Sequence, residues 1–318
     1  MSIAASLEDS NRDGDTTMKI RPFSLPITDN NVEINIQVVQ KLISRFKGKS
    51  ERINSLLSDN EILRMAITAS MIPIADGPEA QLIDIGGTVF WLPLYSELLG
   101  YKKLVILSRP GGSFINEFNR EKIGEGIDLE IINCDAELGK YPLNDAQASC
   151  VVCFELLEHF AGDPMNLIAE SNRILKDNGF FCLTTPNLLS QLNLAALALG
   201  QHPYSWSMFT DSFADRHNRE YTPFEVRQLL EAGGFEIIQL QTFTAGNKGR
   251  LILRLFGYLL SCPASLARIV PLKMRNKLIF VLAKRAGPVL KRYPAFLYDL
   301  FGANKVHFKI PYDPGGII

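Results

Sequence analysis

The sequence predicts an α/β domain: a doubly wound, mainly parallel seven-stranded sheet with helices on both faces, N-terminal helices ahead of it and a basic, apolar, helical region behind it. Three observations predict this. From Gln81 onward, apolar runs of strand length alternate with segments of helical period. A Gly86-Gly87 turn closes the first of those runs, a junction at which glycine lets backbone N–H groups approach a ligand and a following helix favours negative charge. Polar and titratable residues collect just after the later runs, at Cys134-Asp135-Ala136, Glu155, Glu158-His159 and Pro186-Asn187. In open α/β sheets that edge, outside the carboxyl ends of the strands, is where ligands bind.

Residues 1–30 are polar and acidic and are expected to be a flexible segment. Over 31–78 the apolar spacing from Val38 to Phe46 and from Ile62 to Ile72 predicts two short amphipathic helices, expected to cover an edge or mouth of the main domain. The main domain, 79–245, reads as strand 82–85, helix 90–99, strands 103–108, 129–133 and 149–154, helix 164–175, strand 179–184, helix 223–232 and strand 235–243. Thr222 and Pro223 suit the N-cap and first position of that last helix. The connection 188–220 is long and carries His202, Tyr204, Trp206, Met208 and Phe209, and a connection of that length is expected to be a lid or substrate loop. In 246–318 one more strand is expected at Leu278–Ala283.

With 318 residues, 47% of them hydrophobic, the chain can bury a sizeable core. The first residues lack the charged start and apolar run of a signal peptide, so cytoplasmic residence is expected. Of the five cysteines, Cys150 and Cys153 lie three apart in a strand-like run and are expected on opposite faces as buried thiols, so no metal site is expected there. The net charge of −1 hides an asymmetry: residues 237–298 contain eleven Lys and Arg and no Asp or Glu, leaving −12 on residues 1–236. Around Leu251–Leu260, too short an apolar run to span a bilayer, that excess makes a peripheral membrane contact through 250–292, or a lipid-linked or anionic substrate, a reasonable expectation. A solvated basic face over buried apolar packing is the alternative.

Taken in order, Asp84-Ile-Gly-Gly87, Cys134-Asp-Ala136, Phe154-Glu-Leu-Leu-Glu-His159, Glu170 to Gly179, Thr184-Thr-Pro-Asn187, His217-Asn-Arg-Glu-Tyr-Thr-Pro223 and Ala232-Gly-Gly-Phe235 resemble the class I S-adenosylmethionine-dependent methyltransferases with a Rossmann-like sheet, over about residues 80–245. The resemblance implies S-adenosylmethionine as cofactor. Asp84, Gly86 and Gly87, with Thr88 beside them, would then line its methionine side. Asp135 and the Ala136 backbone would meet the adenine, and Phe154 with Glu155 would floor the site near the methyl group. The chain departs from the family's pattern twice: Thr88, Val89 and Phe90 stand where further glycines are usual, and Leu107-Ser108-Arg109 replace the acid that holds the ribose. Ser108-Arg109 would also suit an NADP-dependent Rossmann dehydrogenase, but no tyrosine here is followed by lysine four positions later, as the short-chain type requires.

Methyl transfer from a sulfonium is an in-line displacement that depends on bringing nucleophile and methyl together in a dry pocket. A hydroxyl nucleophile also gains from a base, and His159 and His217 are the candidates; each could instead orient its own loop. Arg219 and Tyr221 could line the substrate mouth. The expected function is methylation, at oxygen rather than carbon or nitrogen, of a small molecule, glycan or lipid-linked acceptor, with no nucleic-acid partner. The alternative is a methyltransferase-like binding module without turnover.

Overall fold

The computed structural model describes residues 19–20, 34–118, 123, 126–203, 216–245, 274–290, 294 and 297. Its centre is a seven-stranded sheet built from β1 (Gln81–Ile85), β2 (Lys103–Ser108), β3 (Asp128–Asn133), β4 (Ala148–Phe154), β5 (Leu175–Pro186), β6 (Phe235–Phe243) and β7 (Leu278–Arg285). The spatial order is β3-β2-β1-β4-β5-β7-β6. The first five strands are parallel, whereas β7 runs antiparallel to both β5 and β6. The chain winds outward in one direction through β1, β2 and β3, then returns to β4 on the other side of β1. This reversal leaves a crevice beyond the ends of β1 and β4.

The strands follow the expected bounds closely because they are buried on both faces and read as continuous apolar runs. Cys150 belongs to one core layer and Cys153 to the other, as a period of two requires. One layer joins Leu82, Leu104, Ile106, Val152 and Cys182 to the N-terminal helices; the other joins Ile83, Val105, Val151, Phe181 and Val281 to helices α4 (Pro164–Ile174) and α6 (Pro223–Ala232). Helix α6 begins with a capping box, in which the Thr222 hydroxyl accepts from the Glu225 N–H and the Glu225 carboxylate accepts from the Thr222 N–H.

Two expectations are corrected and a third is extended. The N-terminal segment forms three helices, α1 (Ile36–Ser44), α2 (Glu51–Leu56) and α3 (Asp59–Ala69), and they cover a face of the sheet as well as reaching its mouth. Val39, Ile43, Ile53 and Met65 enter the core, and Phe46 packs edge-on against Phe90 and Phe118. The predicted helix 90–99 is instead a 3₁₀ turn, Val89–Trp91, followed by a wider π turn, Leu94–Leu98; Pro93 at the join brings no N–H, and the Leu99 N–H bonds to the Leu94 carbonyl five residues back. The long connection after β5 holds a helix, α5 (Gln191–Ala198), capped by the Ser190 hydroxyl. His202 is described there, while Tyr204, Trp206, Met208 and Phe209 lie outside the described residues, as does Leu251–Leu260. Among the described residues no helix is long and apolar enough to cross a membrane.

Two family-like segments serve the scaffold. Glu170 on α4 is fully buried, accepts from the Tyr141 N–H (2.6 Å) and is gripped by Arg173 Nε and Nη2 (2.8 and 2.6 Å), while Arg173 also donates to the Tyr141 and Leu143 carbonyls. The pair therefore pins the loop between β3 and β4. Asn187 is buried after β5 and donates to the Met274 and Asn276 carbonyls (2.9 and 2.7 Å), which fixes the entry of the antiparallel β7.

Candidate active site

A cleft of about 250 Å³ opens at the carboxyl edge of the sheet, lined among others by Gly86, Ser108, Arg109, Asp135, Ala136 and His159. Gly86 takes φ +75°, and a side chain there would run into Leu156 at 2.7 Å. The left-handed backbone is what favours glycine at this point. Arg52 of α2 and Phe114 close the mouth, with the guanidinium 5.4 Å from the ring centroid.

Of the residues expected to hold the cofactor, Gly86, Asp135 and Ala136 line this cleft. Asp84 lies beneath it, buried, accepting from the Tyr95 hydroxyl at 2.7 Å. Gly87 covers that carboxylate so closely that a Cβ would stand 2.2 Å from the Asp84 Cγ. Burial pushes the Asp84 carboxyl up to about 7, against the opposing pull of the Tyr95 hydrogen bond. Thr88 precedes the 3₁₀ turn, and Phe154 packs on Trp91 with ring centroids 4.9 Å apart.

At the end of β2, where the sequence lacks an acid, Arg109 turns its guanidinium to the neighbouring loop. Its Nη2 lies 3.3 Å from both Asp135 oxygens and 3.0 Å from Glu137 Oε1. Glu137 also accepts from the Ala161 and Gly162 N–H groups (2.9 and 2.8 Å), tying the β3 and β4 loops together. The acid expected to read the adenine is therefore charge-paired. The sequence showed both partners but not that adjacent parallel strands place residues 26 apart side by side.

Behind the cleft, a second set of groups gathers at the end of β4. Glu155 adopts φ +51°, rare for a residue with a side chain, and its N–H bonds to the Thr184 carbonyl of β5. Glu158 is 1% exposed; one oxygen accepts from the Thr185 hydroxyl at 2.9 Å and the other stands 3.9 Å from His159 Nε2. His159 Nδ1 bonds to the Arg216 carbonyl (2.9 Å), and His217 Nδ1 bonds to Glu220 Oε1 (3.0 Å), whose other oxygen accepts from Asn193 Nδ2 (3.0 Å). The two imidazoles meet edge to face at 5.0 Å. The expected pair, His159 and His217, is thus brought together across 58 residues by hydrogen bonds from the Asn218 and Arg219 N–H groups to the Glu158 carbonyl.

Burial pushes the Glu158 carboxyl well above its ordinary range, and the nearby Glu155 adds to this; burial raises Glu155 as well, with Arg64 opposing. Arg64 comes from α3, in the N-terminal layer, and is bound to Glu61. No local pattern distinguishes it from any other helical arginine, so its place at the cluster was illegible in the sequence. Glu158 and Glu220 were visible as neighbours of the two histidines, but only the fold shows both buried beside them. Arg219 instead pairs with Glu225 and lies over the Tyr221 ring, whose side chain is buried in the core.

An open, doubly wound sheet with a cleft at its switch point and a titratable cluster behind that cleft defines the class: an α/β domain of the kind that takes its ligand at the carboxyl edge. Residues 76–240 match the methyltransferase domain family, and the chain belongs to that family. The cofactor of such a domain is S-adenosylmethionine. The chain is 31% identical over 100 residues to a Mycolicibacterium smegmatis protein named "Probable S-adenosylmethionine-dependent methyltransferase"; the match covers 31% of this chain and 33% of that one, so the chain spans about a third of the relative's length. Among solved structures, an S-adenosylmethionine-dependent methyltransferase from Mesorhizobium loti superposes with a TM-score of 0.46 at 13% identity, covering 72% of this chain and 100% of that one. A geranyl diphosphate C-methyltransferase from Streptomyces coelicolor A3(2) does so with a TM-score of 0.48 at 14% identity, covering 74% and 81%.

Proposed function

We propose that this protein transfers the methyl group of S-adenosylmethionine to a hydroxyl oxygen of a small-molecule, glycan or lipid-linked acceptor. The observation that carries the oxygen assignment is the cluster of half-buried His159, which lines the cofactor cleft, with buried Glu158 and His217 behind it. Attack by a carbon already activated as a π-nucleophile needs no such group at the start, whereas a hydroxyl must lose a proton as it attacks. His159, which lines the cleft, and His217 behind it are the residues that promote that loss. Gly86, Asp135 and Ala136 face the cofactor, Arg109 holding the Asp135 loop in place. The reading places the enzyme in the cytoplasm, with the basic stretch 250–292 meeting an anionic membrane when the acceptor is lipid-linked.

The test is transfer of labelled methyl from S-adenosylmethionine to a panel of phenols, sugars and lipid-linked glycans, offered in solution and on anionic vesicles. The expected product is a methyl ether, with turnover confined to the vesicle-bound panel if the acceptor is lipid-linked. Label recovered on carbon or nitrogen would overturn the oxygen assignment, and label on no acceptor would count against the activity.

A further inference from the structure

We infer that Glu158, His159 and His217 form a binding site for one divalent first-row transition-metal ion, with zinc the closest match to the donors and the fourth position left open. One potential ligand atom from each of the three lies within 4.8 Å of the others. The 3.9 Å between Glu158 Oε1 and His159 Nε2 is too long for a hydrogen bond. Two atoms each about 2.1 Å from a shared tetrahedral ion stand roughly 3.4 Å apart, so a small closure of this gap makes them co-ligands.

The surroundings are those of a built site. A ligating imidazole commonly donates its far N–H to a carbonyl or carboxylate, which fixes the tautomer and leaves the other nitrogen basic. Here His159 Nδ1 meets the Arg216 carbonyl and His217 Nδ1 meets the Glu220 carboxylate, at 2.9 and 3.0 Å; in each ring this assigns the lone pair to Nε2. The carboxylates are oriented in the same manner: Thr185 holds one oxygen of Glu158, and Asn193 holds the second oxygen of Glu220. These residues supply two imidazole nitrogens and carboxylate oxygens, a set that suits zinc and its neighbours better than magnesium or calcium.

A second observation comes from the charges around the site. Glu155 sits close enough to Glu158 and His217 for their charges to act on one another. Glu155, Glu158 and Glu220 thus crowd together, with the Arg64 guanidinium acting on the first two. A divalent ion would balance that crowding of carboxyl groups.

The use of the metal rests on the oxygen-methylation reading; its binding does not. The two imidazoles then act as ligands, and the ion binds the acceptor hydroxyl and lowers its pKa. The proton leaves to solvent. The oxygen–carbon bond forms as the sulfur–methyl bond breaks, and the sulfur keeps the electron pair as a neutral thioether.

The test uses the full chain, stripped with a chelator and titrated with Zn²⁺, Co²⁺ and Mg²⁺, with S-adenosylmethionine titrated in parallel. One equivalent of Zn²⁺ is expected, Mg²⁺ binding at least about 100-fold more weakly, and Co²⁺ is expected to develop visible d–d absorption. In Glu158→Gln and His159→Asn, Zn²⁺ affinity should fall at least about 100-fold, and in Glu220→Gln by about 10–100-fold, with circular dichroism confirming the fold. Absence of Zn²⁺ and Co²⁺ binding to the unsubstituted chain, or binding that folded variants leave unchanged, would overturn the site. The cobalt spectrum decides the matter even if a variant does not fold. Metal binding without S-adenosylmethionine binding would count against the methylation reading alone.

Discussion

Methyl transfer is expected to fall by about 10²–10⁴-fold in His159→Asn and in His217→Asn, the range associated with losing the group that manages a proton in the transition state. Measured as initial rates with labelled cofactor, the loss should appear in kcat. S-adenosylmethionine affinity should change by no more than a few-fold in His217→Asn, because His217 is buried behind the cleft and is not among its lining residues. The two variants should also be far from additive, since the rings touch at 5.0 Å and belong to one cluster. Turnover within a few-fold of the unsubstituted enzyme in both variants would show that the cluster only braces the loops it joins.

The second large effect is on stability. Asp84 is buried, and its carboxyl is pushed up to about 7 from an ordinary 3.8. Between those two pH values the folded chain holds a proton that the unfolded chain has released, so the favourable contribution is present at low pH and lost as pH rises through 7. About three pKa units correspond to about 4 kcal/mol. Asp84→Asn keeps an acceptor for the Tyr95 hydroxyl and cannot ionise. Its stability relative to the unsubstituted protein should therefore rise by a few kcal/mol from pH 4 to pH 8 in denaturant titrations. A difference that does not change over that range would mean that Asp84 does not titrate there.

The sheet was legible because a strand buried on both faces must be apolar along its length, so β1, β2 and β4 announce themselves. Helix α6 was legible through Thr222-Pro223, a capping signal that needs only local chemistry. The segment 89–99 was not, because its apolar residues serve a 3₁₀ and a π turn that carry Tyr95 onto Asp84, and periodicity cannot separate these from an α-helix. Helix α5 escaped for the opposite reason: Leu192 and Leu197 are about half exposed, so no apolar stripe marks a buried face.

The site divides in the same manner. Gly86, Asp135 and His159 stand at strand ends, where sequence order fixes location, and all three line the cleft. Partnerships between distant residues were invisible: Arg109 with Asp135, Arg64 with the post-β4 acids, and His217 with Glu220 against His159. Arg109 changes how the missing ribose acid is understood. The position is occupied by a cation that secures the next loop.

The central claim is that the cleft at Gly86, Asp135 and Ala136 binds S-adenosylmethionine, and calorimetric titration tests it most directly. Saturable binding of S-adenosylmethionine and S-adenosylhomocysteine is expected, weakened about tenfold or more in Asp135→Ala, with no heat from NADPH. Silence for both sulfur ligands, or saturable binding of NADPH in their place, would contradict it.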